Sequence, residues 1–212
     1  MSKRRYTNMK ALPPVIEQMI KAGMSHRQIE EELGLEGDRP VHNLLKRQFH
    51  ADRPNCKWVT HISYIHTKEG VLYLSMIRDL YDNSIVAYNT ASRQTVNLVL
   101  DTIRLAMKQE EKRVAAELQL HSDQGFQYTS HAYFKLTQSY GITPSMSRRG
   151  NPYDNAMAEN FFSILKTECI YRHKPETFME ANDLIDRYIH FYHPERIQNK
   201  TGVAPLALRR SA

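Results

Sequence analysis

Two carboxylates stand in surroundings where chemistry is common. Asp123 closes His121-Ser122-Asp123, where a short apolar strand runs out toward Gly125. Strand ends of this kind are where α/β sheets present ligand-binding side chains. The competing role is a turn or cap, which short acidic side chains also fill. Glu159 falls in a helical pattern over 154–169, where Asn155, Glu159, Ser163 and Lys166 share a polar stripe and Ala158, Phe161 and Leu165 lie opposite. A Glu and a Lys on the outer side of an amphipathic helix also describe an ordinary solvated surface. Neither carboxylate defines a reaction alone.

The elements that must position them can be read from pattern. Residues 58–66, 71–77 and 84–90 are rich in β-branched and aromatic side chains, and Glu69-Gly70 and Asp82-Asn83-Ser84 supply turns between them. Three closely connected strands predict an antiparallel meander. A helix is predicted at about 93–109, a strand over Ala116 to Leu120, a helix over 130–140 and a short extended piece near Ile142. The helix over 154–169 follows, then another over 176–192, with an irregular tail from His193 to about Pro205. Strands in succession, then strands alternating with helices, give an α/β fold with a mixed sheet.

The formal net charge of +6 over 212 residues favours a polyanionic partner. Residues 1–57 carry eleven Lys plus Arg against seven Asp plus Glu, so +4 lies in the first quarter. There, Pro13-Pro14 opens a helix closed by Gly23, Ser25 and Gln28 form a capping box, and Asp38 with Pro40 starts a third helix carrying Val41, Leu44 and Leu45. Its basic residues are Arg39, Lys46 and Arg47. Three short helices read as a small all-α helix-turn-helix module over 1–50, or as a generic three-helix unit with a charged face. Residues 51–57 read as a linker. No apolar run approaches the roughly 20 residues of a membrane span, and no secretory signal is visible. Cys56 and Cys169 are too far apart in sequence to make a zinc motif or a disulfide framework. A reduced, cytoplasmic setting is expected.

The order of the motifs adds a resemblance. His121-Ser122-Asp123-x-Gly125-x-Gln127-Tyr128 is followed by Ser145-Met146-Ser147-Arg148-x-Gly150-Asn151-x-Tyr153-Asp154-Asn155-Ala156, which runs into Glu159-x-Phe161-Phe162-x-x-Leu165-Lys166-x-Glu168. Trp58-Val59-Thr60-x-Ile62-x-Tyr64-Ile65, Asp79-Leu80, Tyr192-x-x-x-Arg196 and Thr201-Gly202-x-x-Pro205 flank these. Over about residues 55–209 the chain resembles the DDE integrase-core transposases of two-frame bacterial insertion sequences, relatives of retroviral integrases. The thirty-five residues between Asp123 and Glu159 match that family's spacing.

The resemblance implies a ribonuclease H-like mixed sheet flanked by helices, with a catalytic core over 58–175 and a C-terminal helix and tail over 176–212. It implies that Asp123 and Glu159 bind metal, with paired Mg²⁺ ions, or Mn²⁺, activating the attacking group and relieving charge on the leaving oxygen during phosphodiester cleavage and strand transfer. Arg148, Arg149, Asn151, Tyr153, Asn155 and Lys166 are implied as DNA contacts, alongside Arg39, Lys46 and Arg47 of the first module. Double-stranded DNA, both element ends and target, is the implied partner. The chain would act as a homo-oligomer or paired with an intact transposase, near the nucleoid and away from membranes.

The pattern departs from the family in three places. The first catalytic Asp of the family falls within the Trp-Val-Thr-x-Ile strand, and here His61 occupies that catalytic position. Magnesium prefers oxygen ligands, and the change removes one negative charge. Weaker metal binding, partial rescue by Mn²⁺ and severe loss of activity are expected. Gln124 and Phe126 stand where the family has Arg and Ser. Only about ten residues separate the basic module from the core, which reads as an internally shortened or fused derivative. Three functions follow: an active transposase, a catalytically impaired DNA-binding remnant or regulator, and a cellular ribonuclease H-type nuclease. The last would lack the helix-turn-helix and the Arg-Arg-Gly-Asn segment.

Overall fold

The computed structural model describes residues 41–110, 114, 117–148 and 151–211. The helix-turn-helix predicted up to residue 40, with Arg39, therefore lies outside the described residues, as does Arg149. The third helix of that module does not continue past Pro40 as predicted. Residues 41–50 form an irregular segment with one tight turn, in which Lys46 and Arg47 adopt positive φ of 46° and 63°. Leu45 is drawn into the core at 2% exposure, whereas Leu44 stays 41% exposed, so the apolar pair splits instead of forming a helical stripe. The Leu45 and Leu44 amides donate to Ser145 Oγ at 3.3 and 3.0 Å. Residues 51–57 are not a free linker either: Ala51 and Asn55 are both 1% exposed. The compact unit runs from Val41 to Ala212.

Its sheet has five strands, β1 (Lys57–Thr67), β2 (Gly70–Asp79), β3 (Ile85–Ala91), β4 (Gln119–Ser122) and β5 (Thr143–Met146), in the order β3-β2-β1-β4-β5. The first three form the predicted antiparallel meander, with Trp58 opposite Asp79 and Tyr73 opposite Ala91. Gly70 begins β2 at φ +123°, a conformation that side chains with a Cβ rarely adopt. Asn83 at φ 66° and the bond from Ser84 N to Asp82 Oδ1 at 2.8 Å make the second turn. β4 and β5 then run parallel to β1.

Alternation along β1 sends apolar side chains to both faces, so each face is covered by helices. Trp58, Ile62, Ile77 and Leu120 pack with α1 (Val96–Glu110), α2 (His131–Ser139) and the loop around Tyr128. Val59, Ile65, Leu74 and Met76 pack with α3 (Ala156–Leu165) and α4 (Phe178–Tyr192). Each fully buried Leu, Ile or Phe contributes about 1.5–3 kcal/mol. The predicted helix over 154–169 is a composite. A 3₁₀ turn (Pro152–Asn155) leads into α3, a π turn (Lys166–Ile170) follows, and an α-turn (Tyr171–His173) ends the run.

A short helix α5 (Pro205–Arg210) ties the C-terminal segment to the start of β1. Arg209 donates to Asp79 Oδ2 at 3.0 Å and lies 3.3 Å from Asp82 Oδ2, both carboxylates having fully covered side chains. It also donates to Asn55 Oδ1 at 2.8 Å and Ser84 Oγ at 3.1 Å. Burial pushes the Asp79 carboxyl up to about 6, against the pull of the Tyr81 and Asn55 amides. Asp79 and Asp82 are thus committed to Arg209.

Candidate functional site

β4 pairs with β1 only through Lys57, Trp58 and Val59. Beyond Val59 that edge of β1 carries no strand, and His61 and Asp123 are the next residues of matching phase. They meet: His61 Nδ1 lies 3.1 Å from Asp123 Oδ2. The ring nitrogen makes no well-aligned hydrogen bond, so the pair is a close approach and not a formed bond. The His61 ring rests against Phe162 of α3, with centroids 5.9 Å apart. Asp123 Oδ1 accepts the Gly125 amide at 2.9 Å, and a Cβ at Gly125 would sit 3.0 Å from that oxygen. Burial works against ionisation of Asp123, but the His61 ring and the Gly125 amide outweigh it and hold the carboxyl below its ordinary 3.8.

Glu159 stands on the exposed side of α3 and forms no hydrogen bond or ion pair among the described residues. It lines a depression of about 370 Å³ with His61, Tyr64, Phe162, Ser163 and Lys166. The structure therefore brings His61 together with each carboxylate, Asp123 by direct contact and Glu159 across the depression. The Lys166 ammonium lies 4.6 Å over the Tyr64 ring, and burial lowers its affinity for protons.

These residues do not fit a pair of magnesium ions. The β1 position offers an imidazole nitrogen already set against Asp123, and hard cations select oxygen donors. Among the described residues no three His, Cys, Asp or Glu side chains converge as a metal-holding group.

The polar residues before α3 are organised by a residue the sequence reading passed over. Asp154 has a fully covered side chain and accepts from Asn43 Nδ2 at 2.8 Å, Arg47 Nε at 3.0 Å and the Arg148 amide at 3.1 Å. The Arg148 guanidinium adds a fork, Nε to Oδ2 at 2.9 Å and a terminal nitrogen to Oδ1 at 3.0 Å. Arg148 foremost, with help from Arg47, holds this carboxyl far below the usual range against the opposing effect of burial. Arg47 also reaches Asn151 Oδ1 at 3.2 Å and lies 5.6 Å from the ring centre of Tyr153, which is 69% exposed. Lys46 is exposed on the same turn.

Asn155 is a correction to its predicted role in DNA contact. It is buried at 2% exposure and its amide points at the free Thr60 carbonyl of β1 at 3.4 Å, closing an unpaired strand group instead of facing solvent. Gln124 is exposed but tethered, donating to the Ser147 carbonyl at 3.0 Å, and Phe126 is 59% exposed. His121 is buried between the hydroxyls of Ser145 and Ser147, at 2.8 and 3.1 Å, and burial favours its neutral form. Sequence reading missed Tyr64 and Tyr171 as surface features, at 53% and 63% exposure. For Tyr64 the signal was present, because an aromatic residue alternates there with exposed His66 at the end of a strand.

A sheet in which a three-stranded meander continues into two parallel strands, with carboxylates after β4 and on the helix beside β1, defines the integrase-core class of α/β proteins. The family described as integrase core domain matches residues 51–152, and a second family with that description matches residues 140–201. A transposase-like protein of Haemophilus influenzae is 42% identical over 186 residues, covering 87% of this chain and 82% of its own. The transposase for insertion sequence element IS904 of Lactococcus lactis is 42% identical over 151 residues, covering 71% of this chain. The chain spans 59% of that transposase's length. Among solved structures, the HTLV-2 integrase catalytic core domain in complex with magnesium superposes with a TM-score of 0.59 at 12% identity, over 74% of this chain and 98% of that one. A chain of a simian T-cell lymphotropic virus intasome gives 0.67 at 15% identity, over 92% and 70%. The fold is that of the integrase core, ribonuclease H-like as the resemblance implied. The chain belongs to the integrase-core transposases of bacterial insertion sequences.

Proposed function

We propose that this chain acts in DNA transposition by binding DNA along the free edge of β1 and the outer side of α3, with its own strand cleavage suppressed by His61. The contact that supports this reading is His61 Nδ1 at 3.1 Å from Asp123 Oδ2, in the place where the family has its first catalytic aspartate. An imidazole there adds no negative charge and engages the oxygen a metal would use. Glu159 remains in place without a partner among the described residues. DNA recognition does not depend on that residue. The basic side chains Arg47, Arg148 and Lys166 line the approach, and Asp154 fixes two of them.

In this reading double-stranded element ends and target are the ligands, and the chain pairs with its own copies or with an intact transposase. Such pairing would allow it to occupy element ends without cutting them. Magnesium and manganese bind weakly at the native edge. No described helix is long and apolar enough to cross a membrane. The proposed setting, a cytoplasmic place beside the nucleoid, follows from the proposed DNA substrate.

The test is His61→Asp. Titration calorimetry with Mg²⁺ and Mn²⁺, and strand cleavage and transfer on element-end DNA, are measured for both proteins. The native chain is expected to bind that DNA with little cleavage, and the variant to gain both metal binding and cleavage. Robust magnesium-dependent cleavage by the native chain overturns the suppressed-site reading. So does a variant that gains neither.

A further inference from the structure

The π turn after α3 has a geometric consequence. Residues five apart on an ideal α-helix point about 140° away from each other, five steps of about 100°. In a π turn the hydrogen bond runs from residue i+5 to residue i, which brings these two onto one side. Here the Tyr171 amide donates to the Lys166 carbonyl, so an aromatic ring follows a lysine along a single wall. That wall faces Tyr64 and His66 at the unpaired edge of β1, whose rings meet edge to face at 5.4 Å. Between them lies a groove of about 590 Å³ that shares Tyr64, Lys166 and Tyr171 with the depression holding His61 and Glu159.

The groove combines two kinds of group that rarely remain open together. Tyr64 and Tyr171 are 53% and 63% exposed. Lys166 and Lys174 form no ion pair among the described residues, whereas the groove's acid, Glu176, is neutralised by Lys68 at 2.5 Å. Glu159 stands in the adjoining depression. Exposed rings interleaved with uncompensated ammonium groups suit a strand whose bases are unstacked and whose phosphates are charged. Paired bases keep their faces inside the duplex stack, where rings on a protein surface cannot reach them.

We infer that this groove binds unpaired nucleotides of a single DNA strand, leading them past Lys166, Tyr64 and Tyr171 away from the His61–Glu159 edge. The inference rests on the DNA-binding reading above and names the state of the DNA that this part of the surface recognises. Tyr171 and Tyr64 supply stacking faces and Lys174 takes a phosphate.

Fluorescence anisotropy of the full chain tests it, using a blunt duplex, the same duplex with a six-nucleotide thymidine overhang, and a thymidine oligonucleotide alone. The overhang is expected to bind more tightly than the blunt duplex. Tyr64→Leu and Tyr171→Leu should each weaken overhang binding about tenfold and blunt-duplex binding much less, so that the overhang preference shrinks, while Tyr64→Phe and Tyr171→Phe retain it. Lys174→Gln should reduce the salt dependence for the overhang by about 0.7 in log–log slope. Equal affinity for blunt and overhung duplexes overturns the inference while leaving DNA binding intact, and so does an overhang preference that survives both leucine variants. Absence of binding to all three probes overturns the DNA-binding reading and this inference together.

Discussion

Two sets of carboxylates flank β1, and the chain treats them in opposite ways. At its beginning, Asp79 and Asp82 are sealed from solvent and share the guanidinium of Arg209, with Glu110 3.9 Å away. Along its free edge, Asp123 keeps 38% of its side-chain surface, Glu159 is exposed, and among the described residues no lysine or arginine pairs with either. Acids that serve the fold carry their own counter-charge, because a buried carboxylate without one is costly. Acids at the surface need none, because water solvates their charge. His61 belongs to neither arrangement: it sits where a third acid would complete the open set, yet it half satisfies Asp123.

The comparison is broken most directly at the sealed end. Arg209→Met strands two covered carboxylates and is expected to cost about 3–5 kcal/mol in urea unfolding. Adding Asp79→Asn should recover part of that loss, and a double variant no more stable than the single would show that the pairing is incidental. Asp154→Asn comes next, with about 2–3 kcal/mol expected from loss of its charged hydrogen bonds. Because the folded carboxyl titrates below its ordinary 3.8, the stability it adds is present above that pH and is lost as pH falls further toward the folded value. The gap between native and variant melting curves should therefore hold from pH 7 to about 4 and close below it.

At the open edge, His61→Asp should cost about 1 kcal/mol in chelator, since it places like charges together, and be restabilised by millimolar Mn²⁺ or Mg²⁺. Thermal melting with and without metal reads this; a native chain raised as much as the variant by magnesium would erase the contrast. Smallest of all, Lys68→Ala removes a solvent-exposed pair with Glu176 and should move stability by less than about 0.5 kcal/mol.

The meander and the central helices were legible because alternation and 3.6-residue periodicity report burial directly. The segment 41–50 was not. Val41, Leu44 and Leu45 have helical spacing, but Leu45 is claimed by the core and the Ser145 hydroxyl takes its amide, a tertiary contact one hundred residues away. The polar stripe of α3 was right for Glu159 and Ser163, yet wrong for Asn155, because a side chain that satisfies the unpaired Thr60 carbonyl looks like any surface asparagine in sequence. Arg148 read as a free cation, since nothing local shows that Asp154 is sealed and gathers it. The π turn left no sequence trace either. Tyr171 falls on the groove only once that extra residue is wound into the helix.

The clasp of Arg209 on Asp79 joins residues 130 positions apart. At about 5–20 residues per second, a ribosome needs on the order of 10 s to travel between them. During that interval the β2–β3 turn exists without its cation, and two acids destined for a dry interior must stay hydrated. The meander can pair early, but the corner it forms with Arg209 closes only after that residue has been made. A growing chain of this kind keeps one seam open long after its central strands have paired.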